Sequence, residues 1–294
     1  MKNALKQIRT VGLVANLDKA DRAAPLIRRA AALIQRAGRS VVADDSTAAM
    51  ARLKCQALPR AADVARAADV LLVFGGDGTL LRVTRELDGG DTPIIGVNIG
   101  TLGFLTAVHA ADLPSALQSL WQNKFVIESR SLMEARGVCA GKSACFHAFN
   151  DIVISHGAVS RMIELDVTVD GECLTRYRGD GLIVCTPSGS TAYSLSAGGP
   201  IISPAADVFA ITPICAHALS NRAVIISQRS IVKVTVLSEL ETIVSADGRV
   251  EASIKGGEAI SIGRSRRKVR LLVLPPSSFF DAVRRKLRWS GSAV

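Results

Sequence analysis

Aromatic residues are scarce in this chain, at 4% of the sequence. Proteins that hold single-stranded nucleic acid stack bases on aromatics interleaved with basic side chains, so a nucleic-acid partner is not expected. The six cysteines (Cys55, Cys139, Cys145, Cys173, Cys185, Cys215) contain no C-x-x-C pair, and several stand inside apolar runs. They read as buried thiols of a reducing compartment, not as a disulfide framework. No apolar run reaches membrane length, and the N-terminus carries Lys2 and Lys6 without the apolar core of a signal peptide. A cytoplasmic location with no membrane partner is expected. His109, His147 and His156 have no metal-ligand spacing to cysteine or acid partners.

What the chain does have is length and positive charge. Its 294 residues suit one large domain or two ordinary ones, and two are expected. A net charge of +10 makes the surface attractive to anions such as nucleotides, although solubility alone accounts for it equally well. Much of the excess falls late, in Arg264, Arg266, Arg267, Lys268 and Arg270, then in Arg284, Arg285, Lys286 and Arg288. The second group fits the polar face of a terminal helix.

The first 124 residues alternate strand and helix patterns. Strands are expected at Thr10–Asn16, Ser40–Ala43, Val70–Phe74 and Pro93–Asn98, and helices at Asp21–Ala37 behind an Asp N-cap, Ala48–Leu58, Ala61–Ala67 and Asp112–Asn123. This order predicts a Rossmann-like α/β domain with a parallel sheet wrapped by helices. From about Phe125 the helical period gives way to short β-rich segments with turn signals every ten residues or so. That texture predicts an all-β, sandwich-like second domain over 125–276. A helical pattern returns at Phe279–Trp289, within a tail spanning 277–294.

The run Val70–Leu81, VLLVFGGDGTLL, places Asp77 among Gly75, Gly76 and Gly78 where a buried strand passes into a helix. Parallel sheets present ligands beyond the carboxyl ends of their strands, and a helix N-terminus offers free N–H groups to anions. Glycines there allow positive φ and close approach, so the loop suits a polyphosphate. The same five residues also describe a type I′ turn. Arg82, one turn past Gly78, is a cation within reach of a phosphate or an ordinary exposed helix residue.

Two apparent motifs fail. Gly137–Ser143, GVCAGKS, has three residues between its glycines where a P-loop needs four, and an alternating strand follows it. It reads as a hairpin turn. Gly96, Gly100 and Gly103 miss the dinucleotide fingerprint G-x-G-x-x-G. Asn150-Asp151 interrupts an apolar run, either as a bulge or turn or to hydrogen-bond paired hydroxyls such as those of a ribose. Arg178-Gly179-Asp180-Gly181 offers a similar mixed set of donors and acceptors. In Thr186–Pro204, TPSGSTAYSLSAGGPIISP, small residues and hydroxyls surround Tyr193, a face on which a base could stack. His217 reads as a core histidine.

These stretches together resemble the bacterial NAD kinases. The resemblance rests on Gly75–Leu81, on Gly96–Leu105 (GVNIGTLGFL), on Asn150-Asp151, and on Asp180-Gly181-Leu182 continuing through Thr191–Pro200 (TAYSLSAGGP). The first motif is shared with diacylglycerol-type lipid kinases, whereas the last is far more specific. The resemblance implies transfer of the γ-phosphoryl of ATP to the 2′-hydroxyl of the adenosine ribose of NAD, with a divalent metal, Mg²⁺, whose protein ligands it does not name. It implies that Asp77 is the proton acceptor, that Gly78 and Arg82 lie on the phosphate side, and that Asn150 and Asp151 hold the ribose, thereby presenting its hydroxyl to Asp77. It implies further that Arg161, Arg178 and Asp180 line the dinucleotide site and that Thr191, Ala192, Tyr193, Ser194, Leu195 and Ser196 surround the adenine. The tail is expected to return to the first domain, and the chain to form a homodimer or homotetramer. Ala223 after Arg222 and Arg249 after Asp247-Gly248 depart from the pattern, the latter leaving Arg249 without a carried-over role.

Overall fold

The computed structural model describes residues 7–100, 103–106, 108–157, 161–275 and 278–289. Thr101 and Leu102 of the GTLG stretch and the last five positions of the tail lie outside these residues. The chain divides into two compact units, Met1–Arg130 with Lys268–Val294, and Ser131–Arg267.

The first unit is built on β1 (Thr10–Ala15), α1 (Ala20–Arg36), β2 (Ser40–Asp44), α2 (Asp45–Ala51), β3 (Gln56–Leu58), α3 (Ala61–Ala67), β4 (Val70–Gly75), α4 (Asp77–Leu87), β5 (Ile94–Asn98), β6 (Val108–His109) and α5 (Leu113–Trp121). Its strands are parallel in the order β3-β2-β1-β4-β5, with β6 pairing beside β5. Helices cover both faces of such a sheet, so all six residues of β4 are buried and the run has no polar alternation. Helix α1 buries Ala23, Ile27, Ala30, Ala31 and Ile34, one stripe at helical spacing.

Three local expectations are corrected here. Asp21 lies inside the first turn of α1, whose N-cap Lys19 makes no side-chain cap bond. The helix expected over Ala48–Leu58 stops at Arg52 in the left-handed region, and Gln56–Leu58 instead extends the sheet beside β2. Helix propensity in an Ala-rich segment loses here to the pairing available at a sheet edge. The glycines of the loop after β4 do not have positive φ either.

The second unit is a pair of stacked sheets, as the sandwich reading expects. One joins β11 (Glu172–Gly179), β10 (Ile163–Val169), β15 (Val232–Val236) and β18 (Ala259–Val273), with β7 (Val126–Cys139) beside β18 and β8 (Lys142–Ala148) beside β7. The other runs β14 (Val224–Ser227), β13 (Val208–Ile214), β12 (Gly181–Cys185), β9 (Asp151–His156), β16 (Thr242–Ala246) and β17 (Arg249–Ile254). Alternate residues such as Leu165, Val167, Val234 and Ile260 meet Ile152, Ile154, Leu182 and Val244 in the core. The opposite face of β9 and β12 is also covered, with Val153, Ile183 and Cys185 packed against Ile202 of the following loop. β7 and β8 are joined through Ala140 and Gly141, both at positive φ, so GVCAGKS is a hairpin. Past Arg267, the end of β18 joins the first unit's sheet at Leu271–Ile94, and α7 (Phe279–Leu287) follows. Of the cysteines, Cys139 and Cys185 are buried, while Cys145, Cys173 and Cys215 are exposed. No helix of the described residues is long and apolar enough to cross a membrane.

At the end of β1 the pairing with β2 stops at Leu13 while that with β4 continues, and on the β2 side a side chain takes over: the fully buried Thr47 accepts from the Ala15 N–H at 2.9 Å. Thr47→Val keeps the shape and orphans that N–H, so denaturant unfolding should show a loss of about 1–3 kcal/mol.

Candidate functional site

The strand order places β1 and β4 side by side with the chain winding outward from them in both directions, which makes their carboxyl ends the switch point of the first unit's sheet. Asp77 begins α4 there. Its carboxylate is half-buried and accepts two backbone N–H bonds, from Phe104 at 2.8 Å and Leu105 at 3.1 Å. A Cβ on Gly76 or Gly78 would meet nothing within 4 Å, so the loop leaves bare backbone open toward a ligand at a helix N-terminus. Gly75 answers a packing need, since its Cβ would stand 2.2 Å from Thr79 Oγ1.

Arg82 reaches back across the switch point. It donates through Nη2 to the Ala15 carbonyl at 3.1 Å and pairs through Nη1 with Glu86 at 2.6 Å. Lys19, which sequence reasoning passed over, brings its Nζ to 3.1 Å from where a Gly100 Cβ would stand. Only folding sets a cation of the β1–α1 connection against Gly100, two residues past β5.

In the second unit Asn150 and Asp151 form a tight polar turn at the start of β9. Both are buried, at 8% and 4% exposure, yet Asn150 Oδ1 has no hydrogen-bond partner. A buried acceptor left open is costly, and a donor from a ligand would satisfy it. Asp247, also unassigned from sequence, organises the turn by accepting N–H bonds from Phe149 at 2.9 Å, Asn150 at 2.7 Å and Asp151 at 3.3 Å. It sits at φ 49° before Gly248 at φ 76°, a two-residue hairpin between β16 and β17. Asp-Gly between alternating strands was the readable signal. Burial, with the Asp247 carboxylate adding to it, pushes Asp151 up to about 7. A carboxyl titrating there can donate or accept a hydrogen bond.

The loop after β12 is locked onto this turn. Thr186 N donates to the Asn150 carbonyl at 2.8 Å, Thr186 Oγ1 to the Phe149 carbonyl at 2.7 Å, and a Cβ on Gly189 would stand 2.0 Å from Asn150 O. Gly189 must therefore stay bare. Helix α6 (Tyr193–Ser196) presents Tyr193 at 47% exposure, whereas Ser194 is fully buried and bonded to Thr212 Oγ1 at 2.9 Å. Thr191, Ala192 and Leu195 are half-buried and Ser196 is exposed. Arg161 and Arg178 are exposed, and Asp180 accepts from the Cys215 thiol, a bond that raises that thiol's pKa. His217 is exposed and not a core residue.

The hairpin β7–β8 brings His147 beside an acid and a cysteine, a proximity that sequence spacing does not show. Glu134, Cys145 and His147 bring possible ligand atoms within 4.8 Å of one another. The bond from Arg136, more than that from His147, holds Glu134 below the usual carboxylate range, and Arg267 approaches His147 Nδ1 at 3.4 Å. With Arg136 already answering the carboxylate and His147 bonded to it at 2.9 Å, the group is an ion-pair network.

A parallel sheet with an acid-bearing glycine loop at its switch point, joined to a β-sandwich with an open polar turn, defines a nucleotide-handling transferase. The model of the ATP-NAD kinase N-terminal domain matches residues 11–125, and that of the C-terminal domain residues 149–274. The chain belongs to the ATP-NAD kinase family, and its enzyme class is therefore ATP-dependent kinase of NAD. An NAD kinase of Ralstonia nicotianae is 40% identical over 98% of this chain and 95% of its own. One of Syntrophotalea carbinolica is 41% identical over 75% and 78%. The crystal structure of yeast NADH kinase complexed with NADH shares the fold, with TM-score 0.90 at 24% identity, over 98% of this chain and 90% of that one.

Asp151 ties stability to pH. The folded chain holds a proton there up to about pH 7 that the unfolded chain loses near 3.8, so this group's stabilising contribution is complete below the lower value and is lost as pH rises through the upper. Asp151→Asn should flatten the stability slope between about pH 4 and 7 by up to ~1.4 kcal/mol per pH unit, read from urea midpoints across that range.

Proposed function

We propose that Asp77 is the general base of the phosphoryl transfer, taking the proton of the 2′-hydroxyl of the adenosine ribose of NAD as the γ-phosphoryl of ATP is transferred to that oxygen, giving NADP. The observation that carries this reading is the Asp77 carboxylate, oriented by two backbone amides at the switch point of the sheet. A secondary hydroxyl is a poor nucleophile and the transferred group is heavily charged, so positioning and electrostatics do most of the work.

Gly78 and the free amides of α4 take the phosphate side, with Arg82 and Lys19 supplying charge. Arg82 gives up only an exposed pair with Glu86 to do so, worth about 0–1 kcal/mol. Asn150 and Asp151 hold the adenosine ribose: the open Asn150 Oδ1 calls for a donor, and Asp151, protonated up to about pH 7, supplies either sense of hydrogen bond. Tyr193 stacks on the adenine, with Thr191, Ala192, Leu195 and Ser196 beside it and Ser194 holding the helix to β13 through Thr212. Arg161, Arg178 and Asp180 complete the dinucleotide contacts.

A divalent cation, Mg²⁺ by its oxygen preference, fits this donor set, because such ions are held by one or two carboxylates together with substrate phosphates. Asp77 is the carboxylate that the glycine loop offers it, and the ion would neutralise charge on the ATP phosphates. The reading includes a cytoplasmic location, which the free cysteines suit, and a homodimer or homotetramer, for which exposed Ile225 and Val250 on edge strands β14 and β17 offer apolar surface.

Incubation with ATP, Mg²⁺ and NAD should yield NADP, detected with an NADP-specific dehydrogenase. Asp77→Asn should retain NAD binding and lose about 10²–10⁴-fold in turnover. Turnover close to wild type in that variant would remove Asp77 from the role.

A further inference from the structure

We infer that the segment Gly103-Phe104-Leu105 is a positioning clamp for Asp77, with Gly103 and Asn98 as the residues that make it work. The inference rests on the reading of Asp77 as the base and adds what fixes its carboxylate.

An aspartate at the first position of a helix is free to rotate about χ1 and χ2, and nothing in the GGDGT loop itself holds it. The two bonds it accepts both come from chain 27 and 28 residues away: Phe104 N binds Oδ2 and Leu105 N binds Oδ1, so each oxygen has its own donor. Two donors on two oxygens define the carboxylate plane, while the remaining lone pairs stay open to accept a proton or bind a cation. Such an arrangement fixes geometry without using up the group.

Gly103 is bare for this reason. A Cβ there would lie 1.8 Å from Asp77 Oδ1, 2.3 Å from Cγ and 2.6 Å from Oδ2, and these are its three nearest atoms. Its φ lies outside the left-handed region, so the backbone conformation does not demand glycine. The position requires space for the Asp77 carboxylate.

The clamp is itself anchored by Asn98, which is 3% exposed at the end of β5. Its Oδ1 accepts from Gly100 N at 2.7 Å and its Nδ2 donates at 3.1 Å to Oγ1 of Thr106, the residue next to Leu105, so one side chain holds chain before and after the clamp. Ile99 N donates to the Gly75 carbonyl at 3.3 Å, returning the start of the segment to the glycine loop. Asn98 thus acts on Asp77 through the clamp and without touching it.

The test is a set of three double-mutant cycles, two read by activity and one by stability. Gly103→Ala and Asn98→Ala should each lower kcat for NADP formation, Gly103→Ala by about 10²-fold, while KM for NAD and for ATP stays within roughly threefold. Neither should slow Asp77→Asn further, because the misplaced group is already disabled. Independently of activity, Gly103→Ala should lower Tm, and Asp77→Ala should relieve most of that loss by removing the atoms the new methyl meets. Unchanged kcat in Gly103→Ala, an equal further loss in the Asp77→Asn background, or a Tm loss untouched by Asp77→Ala would each overturn the clamp. A wild-type enzyme that makes NADP alongside a fully active Asp77→Asn would instead defeat the reading of Asp77 as base, leaving the Tm cycle to decide the clamp on its own.

Discussion

The constraint on which the structure depends is that a buried parallel sheet must satisfy its backbone at the ends of its strands. Inside the first unit each strand satisfies its neighbour, but at the switch point between β1 and β4 the neighbours diverge and the last N–H and C=O groups need other partners. Thr47 answers the Ala15 N–H, Arg82 answers the Ala15 carbonyl, Asn16 N reaches the Phe74 carbonyl and Ile99 N reaches that of Gly75. What remains open is the start of α4, and there a polyanion can complete the accounting.

The second unit meets the same constraint with a buried turn. Phe149, Asn150 and Asp151 direct their N–H groups onto one carboxylate, Asp247; the Phe149 and Asn150 carbonyls accept from Thr186, and that of Asp151 from the Asp247 N–H. Among the fully buried side-chain atoms of the turn, the Asn150 oxygen is left without a partner. The two acids are not equivalent: the half-buried Asp247 accepts three amides, while the buried Asp151 beside it is pushed toward neutrality. A turn whose backbone is held this way and whose buried Asn150 oxygen stays open favours a donor at that point.

Much of this was legible in the chain. β4 reads as buried because nothing polar interrupts VLLVF, α1 because its apolar residues recur at helical spacing, and the sandwich because its strands alternate between turn signals. The glycine-acid loop was visible from its place between a strand and a helix, and TAYSLSAGGP was specific enough to name the family. The reasons for the glycines were not legible. Gly75, Gly103 and Gly189 are bare because of atoms that meet them, at Thr79, Asp77 and Asn150 respectively, and the last two come from distant parts of the chain.

Local periodicity, turn chemistry and motif order are properties of neighbouring residues, so the sequence by itself determined most element types, the two-part architecture and the kinase family; the strand at Gln56–Leu58 needed the sheet edge beside it. Asp247 under the Asn150 turn, Lys19 beside Gly100, the exposure of His217, the Glu134–His147 pair and the amides on Asp77 were decided only by the tertiary structure. Each joins side chain or backbone across strand register or loop closure, and the distances that set hydrogen bonds, steric fit and pKa exist only once those segments have packed.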